Sequence, residues 1–234
     1  MDLQENAQFQ SHILQLESEG RVTRTFRRLD INRQQAILQS ILDEAAEYGP
    51  AAVNIKRVAE RAGVAVGSLY QYFHGRDGLL DFAIEFSVRY ITQAFDDYRP
   101  VLAAMPLREA LAAYLSGGIE WSQTKAGFLR LFARAAYQGD PDLAQRLVVP
   151  VANSMREMIF EILLQAVKRG EVRADIDLDA AARLVHAWMI AAGDSLLLPY
   201  LNDYFQVCAP EAPFNRTAET LVEIILNGIA AQKP

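Results

Sequence analysis

The sequence predicts an all-α protein with a small N-terminal three-helix domain followed by a larger helical body. Apolar residues recur at helical spacing along most of the chain, as with Ile37, Ile41 and Ala45 beside Leu38 and Leu42. Glycine and proline breakers cut this pattern into segments of helical length. No segment shows the period-2 alternation of a half-buried strand, and no Asn-Gly or Asp-Gly pair lies between two β-branched runs.

Taken in order, residues 1–30 show no sustained periodicity and read as a mobile arm with a basic end, although Phe9 to Leu16 could form a short helix. Residues 32–48 read as a helix. Asn32 and Gln35 have capping-box spacing, and Gly49-Pro50 stops the helix. Residues 54–76 hold two short helices, so residues 31–76 form one small domain. Residues 77–234 form the body, with helices expected over 77–98, 107–122, 125–138, 141–169, 178–201 and 216–232. Pro100, Pro106, Gly139 with Pro141, Gly170, Pro210 and Pro213 separate them. Neither an internal repeat nor a low-complexity tract interrupts the series.

About half of the residues are apolar (51%), enough for a sizeable buried core. No apolar run reaches the roughly 18 residues that cross a bilayer. The start, MDLQENAQFQ, lacks a basic stretch followed by an apolar one, so no export and no membrane are expected. The single cysteine, Cys208, fits a reducing cytoplasm. Net charge is −6, but residues 21–76 hold nine lysines and arginines against five acids. A basic N-terminal segment on an acidic body is the asymmetry of a chain that meets a polyanion at one end.

The stretch that carries chemistry runs from Asn54 to Phe73. Asn54 can cap a short helix through its side-chain oxygen. Val58, Ala59 and Ala62 face inward from that helix, and small Ala59 lets a second helix cross closely. Gly63 supplies the left-handed backbone that ends the first helix, and Val64 fills the angle between the two. The second helix starts near Val66-Gly67 and buries Leu69 and Phe73. Val66, Ser68, Gln71 and Tyr72 then point outward, with Tyr70 at the margin. A helix of this kind fits a major groove roughly 12 Å wide. Gly67 permits close backbone approach, and Arg76 is placed to reach the phosphate backbone. As spacing alone, Ala59 and Gly63 support equally an ordinary helical hairpin. Two exposed tyrosines on so short a polar face favour a binding surface.

The whole run from Arg57 through Leu80 closely resembles the signature of the TetR (tetracycline-repressor-like) family. The resemblance covers residues 31–82 and rests on Ala59, Ala62-Gly63-Val64, Gly67, Leu69-Tyr70, Tyr72-Phe73, Asp77 and Leu79-Leu80. It departs at Ala65, where the family has serine, and at Arg76, where it has lysine. Ala65 lacks the hydroxyl that would cap the helix or meet a phosphate, whereas Arg76 keeps the charge and adds a fork. The resemblance implies a three-helix DNA-binding domain, a diverse helical ligand-binding domain and a homodimer joined through the last two helices. Asn54, Ala65, Val66, Gly67, Ser68, Tyr70, Gln71, Tyr72 and Arg76 are the expected DNA-binding residues. Arg21, Arg24, Arg27 and Arg28 in the arm could lie in a flanking minor groove or be solvated charge.

In the body, Trp121, Phe128, Phe132, Tyr137, Phe160 and Trp188 are the aromatic candidates for lining a ligand site, with core packing as the alternative. Leu221, Val222, Ile225, Leu226 and Ile229 make a broad apolar stripe, and residues 180–201 are apolar around most of their circumference. Packing both helices against their symmetry mates would bury them, as would packing within one chain. His12, His74 and His186 are scattered. No metal-ligand spacing, phosphate-cradling loop or nucleophile elbow is present, so neither an enzyme nor a metal or other cofactor is expected. The function expected is a cytoplasmic, ligand-responsive transcriptional regulator: a homodimeric repressor on a near-palindromic double-stranded operator, released by a small effector of apolar character. The alternatives are a helical protein-interaction module and a DNA-binding protein without a ligand.

Overall fold

α-Helices dominate the computed structural model, which describes residues 3–229, so residues 230–232 of the last expected helix lie outside the described residues. No strand is present among the described residues; an isolated bridge pairs Ala209 with Ala212. The helices are α1 (Leu3–Ser18), α2 (Arg24–Arg27), α3 (Ile31–Tyr48), α4 (Ile55–Ala62), α5 (Val66–Phe73), α6 (Arg76–Ala104) and α7 (Leu107–Thr124). They continue as α8 (Ala126–Tyr137), α9 (Pro141–Leu143), α10 (Val149–Lys168), α11 (Leu178–Leu197), α12 (Pro199–Phe205) and α13 (Phe214–Ile229). A π-turn over Ala144–Val148 joins α9 to α10.

Packing divides the chain into two units. One runs up to Gln93 and includes Ala126–Val151; the other comprises Ala94–Lys125 and the chain from Ala152 onward. The division falls inside α6 and α10.

The first unit is built on aromatic rings. Phe26, Phe73, Phe82 and Phe86 are fully buried, and Phe73 lies 4.9 Å from Phe26 and 5.0 Å from Phe82 between ring centroids. Here the structure corrects the expectation of a mobile arm over residues 1–30. Phe9, Ile13 and Leu16 recur at one face of α1 and are buried, with Phe9 4.8 Å from Phe86. Polar ties hold the same helix to α6, from Tyr90 to Glu5 (2.7 Å) and from Arg89 to Glu19 (2.8 Å). Three large apolar side chains at helical spacing supply more burial than a free tail could forgo.

Asp30, not Asn32, caps α3 by accepting from the Arg33 amide at 2.9 Å, two residues earlier than the capping-box spacing suggested. At the other end Arg134 of α8 donates to the carbonyls of Ala46 (2.9 Å) and Glu47 (3.3 Å), two of the orphan acceptors of a helix C-terminus. Pro100 does not end α6, which continues to Ala104. The proline is exposed, so the carbonyl it leaves without a backbone donor can be hydrated.

The second unit buries a mainly aliphatic core. Leu107, Leu111 and Leu115 of α7 meet Ile159, Ile162 and Leu163 of α10, Val185 and Met189 of α11, and Val222 and Ile225 of α13. Part of the apolar stripe of α13 is thus buried within its own chain. Val222 and Ile225 are buried, Leu221, Leu226 and Ile229 pack partly buried against the same core, and Ile224 is the exposed large side chain of that helix. The expected helix over 178–201 is two helices, because Leu198 leaves the helical region and Pro199 opens α12.

Candidate nucleic-acid interface

Two short helices and the turn between them form the candidate site. Asn54 caps α4, its side chain accepting from the Lys56 amide at 2.9 Å. Gly63 ends the helix at φ +65°, a left-handed angle that any side chain would strain. The Val64 amide then closes back onto the Ala59 carbonyl at 3.0 Å. Ala65 opens α5 with no side-chain cap, as its missing hydroxyl demands. At the far end α5 stops on His74 in the left-handed region, and α6 crosses so closely that a Cβ on Gly78 would lie 2.1 Å from the Phe73 carbonyl oxygen. Glycine is obligatory there because backbone, not a flexible side chain, fills the space.

The orientation of α5 follows from what it buries. Leu69, Tyr72 and Phe73 are inside; Ala65, Gly67, Tyr70 and Gln71 are exposed, and Val66 and Ser68 are half-buried. Tyr70 is 56% exposed, and beyond the helix's own backbone nothing among the described residues lies within 4 Å of a Cβ added at Gly67. An outside surface could therefore approach this backbone closely.

Two expected contact residues are placed otherwise. Tyr72 is 7% exposed, with its ring 5.8 Å from Phe26 and 6.1 Å from Phe73, so it belongs to the core beneath the helix. At i+3 from Leu69, it shares the buried face, and α2, which the sequence pattern did not reveal, covers it. Arg76 is also engaged within the chain. Its guanidinium donates to the carbonyls of Val53 (2.9 Å), Pro50 (2.7 Å) and Ala51 (2.6 Å), and pairs with Asp77 at 3.1 Å. Arg76 thereby pins the turn before α4.

Sequence reasoning missed Glu44. Its carboxylate is fully buried beneath α4 and accepts from the Asn54 amide (3.1 Å) and from Arg57 Nε (2.6 Å). Arg57 also sits over the Tyr48 ring, 4.1 Å from its centroid, and Arg61 donates to Glu47 at 2.5 Å. The hydrogen bonds they donate to Glu44 and Glu47 raise the pKa of Arg57 and Arg61, respectively, above the usual guanidinium range. The signal was an acid inside the apolar stripe of α3, three residues after Ile41 and seven after Ile37.

Most of the basic residues counted between 21 and 76 are therefore occupied. Arg21 pairs with Glu85, Arg27 with Glu17, Arg57 with Glu44, Arg61 with Glu47 and Arg76 with Asp77. Arg24, Arg28, Arg33 and Lys56 are exposed and carry no ion pair among the described residues.

The aromatic candidates of the body are divided between the two units. Phe128, Phe132 and Tyr137 belong to the first unit; Trp121, Phe160 and Trp188 belong to the second. Phe128 stacks 5.4 Å from Tyr90, a core contact, while Tyr137 and Trp188 are 42% and 44% exposed. The second unit holds the Tyr114 hydroxyl of α7, buried with no hydrogen-bond partner among the described residues and with its pKa raised by burial and then by Asp194. His186 of α11 likewise has an unpartnered Nδ1, and burial followed by nearby Arg156 lowers its pKa. Among the described residues no group of three His, Cys, Asp or Glu side chains is placed to hold a metal ion, and no helix is long and apolar enough to cross a membrane.

Fold and site together define a helix-turn-helix protein with a helical body. Residues 37–82 match the family described as bacterial regulatory proteins, tetR family, and residues 105–192 match the tetracyclin repressor-like C-terminal domain. The chain belongs to the TetR family of regulatory proteins. It is 26% identical over 98 residues to the HTH-type transcriptional regulator BetI of Yersinia pestis, a match covering 42% of this chain and 50% of BetI. It is 24% identical over 147 residues to the HTH-type transcriptional repressor KstR2 of Rhodococcus jostii, covering 62% of this chain and 71% of KstR2. The chain thus spans about half the length of the BetI regulators it matches. The transcriptional regulator FadR of Bacillus subtilis, solved in complex with stearoyl-CoA, shares the fold at a TM-score of 0.61 and 18% identity, covering 83% of this chain and 98% of FadR.

Proposed function

We propose that this chain is a ligand-responsive DNA-binding transcriptional repressor, acting in the cytoplasm as a homodimer on a near-palindromic operator. The observation that carries the reading is the outward face of α5. Gly67, Tyr70 and Gln71 are exposed on a rigid short helix whose other face is locked into an aromatic core. Val66 and Ser68, half-buried at the helix start, flank that face, and Lys56 and Arg33 supply unpaired cations on α4 and α3. The direct test is a gel shift against the DNA flanking the protein's own gene. Tyr70→Ala should weaken that binding about tenfold, the worth of roughly 1.4 kcal/mol of contact, without moving the thermal midpoint. Equal binding by the variant would remove Tyr70 from the reading surface.

The dimer is proposed through α11 and α13, with a different residue set from the stripe first suggested. Leu184 (57% exposed) and Trp188 (44%) stand one turn apart on α11, and Ile224 (55%) stands on α13, which packs against it. Large apolar side chains left in water on two adjacent helices suit a two-fold interface. The effector is proposed to bind in the second unit, where the buried Tyr114 hydroxyl lacks the partner that such groups nearly always have. An apolar compound with a polar end would supply it, and FadR, a protein of this fold, holds one in stearoyl-CoA. Mass spectrometry of co-purified small molecules, followed by titration against Tyr114→Phe, tests this assignment.

A further inference from the structure

The helical segment that precedes the three-helix domain ends in α2, and α2 is built onto the candidate reading helix. The Thr23 amide donates to the Tyr72 carbonyl at 3.1 Å, and the Thr23 hydroxyl donates to the Gln71 carbonyl at 2.8 Å. The same hydroxyl accepts from the Phe26 amide at 3.4 Å, so one side chain both caps α2 and ties it to the last turn of α5. Phe26 completes the attachment from within, 4.9 Å from Phe73 and fully buried.

With Phe26 turned inward, the opposite side of α2 faces solvent. Arg24 and Arg28 stand four residues apart on that side and are exposed, with Thr25 exposed between them. Their basic neighbours are spent, Arg21 on Glu85 and Arg27 on Glu17, and the nearby Asp30 caps α3. Arg24 and Arg28 carry no ion pair among the described residues. Two unneutralised guanidinium groups are thus carried on a short helix that is tied through Thr23 to the C-terminal end of α5.

We infer that Arg24 and Arg28 form an additional DNA-backbone contact, gripping phosphates that flank the groove entered by α5. This inference rests on the proposal that α5 reads DNA. The partner chemistry follows from charge and reach. A helix lying in a groove about 12 Å wide brings its end close to one of the bordering phosphate rows, and guanidinium forks suit phosphate oxygens. Anchoring on a folded turn also means that the cations lose less freedom on binding than they would on a floppy tail.

The test is the salt dependence of binding by the full chain, read by fluorescence anisotropy on two 30-base-pair duplexes. One carries the sequence flanking the protein's own gene; the other is a scrambled control. Each phosphate neutralised contributes about 0.9 to the slope of log K against log salt, so Arg24→Ala with Arg28→Ala should lower the slope by about two units on both duplexes. Arg24→Lys with Arg28→Lys should restore it, and the thermal midpoint should stay at the wild-type value because both side chains are exposed. An unchanged slope overturns the inference while leaving α5 as the reader. A loss confined to the flanking-sequence duplex overturns it as well, since the arginines would then touch bases. Failure of the wild-type chain to bind either duplex overturns the DNA-reading proposal itself, and this inference with it.

Discussion

Helices α2 and α4 both carry arginines and both pack beside α5, yet they put their charge to opposite uses. The arginines of α4 are directed at acids of α3. Arg57 reaches buried Glu44, and Arg61 reaches Glu47. On and beside α2, Arg27 pairs with Glu17, but Arg24 and Arg28 carry no ion pair among the described residues. A count of basic residues along the chain cannot separate these cases, because an acid three or four turns away in another helix decides the matter. The lesson concerns the charge asymmetry of residues 21–76. Its sign points to a polyanion, but more than half of its positive members are structural.

That contrast can be broken from either side, and the largest effect lies in the core shared by both helices. Tyr72→Ala should destabilise the first unit by about 3 kcal/mol, the usual range for emptying a buried aromatic site, measured as a fall in the urea midpoint. Tyr72→Phe keeps the ring between Phe26 and Phe73 and should bind DNA as the parent does; a large loss of affinity by the phenylalanine variant would return the hydroxyl to the contact surface. Next comes Glu44→Ala, which leaves the Asn54 amide and Arg57 without their acceptor. A loss of about 2 kcal/mol is expected from charge-assisted bonds, with the salt slope of the remaining folded protein unchanged. A change of slope without loss of stability would mean that α4, not α2, supplies the phosphate grip. Smaller again is Arg76→Ala. It gives up three carbonyl partners at the surface, so a loss of about 1–2 kcal/mol is expected, without the one-unit slope change that a phosphate contact would give.

Some features were legible because they depend on nearest neighbours along the chain. The Asn54 cap, the left-handed Gly63 and the uncapped start at Ala65 are decided within four residues, and each is found where the pattern put it. Burial of Leu69 and Phe73 followed from i, i+4 spacing in the same way. The pattern was weaker wherever two partners could satisfy it. On α13 it showed that Val222 and Ile225 would be buried, and the α7–α10–α11 core claimed them. For Tyr72 a polar side chain at the edge of the apolar face could go either way, and α2 covered it.

By itself the sequence determined that this protein is helical, where most of the helices after residue 30 begin, and that residues 54–73 make a tight helical corner. Those properties are set by backbone sterics, capping and amphipathic period, all of which act over a few residues. Tertiary structure alone decided which faces stay in water. It turned the apparent arm into α1 and α2, spent Arg57, Arg61 and Arg76 inside the fold, and left Gly67, Tyr70, Gln71, Arg24 and Arg28 outside. The physical reason is that burial and charge pairing are properties of pairs. A residue's partner can lie seventy positions away, as Glu19 does from Arg89, where no local pattern records it.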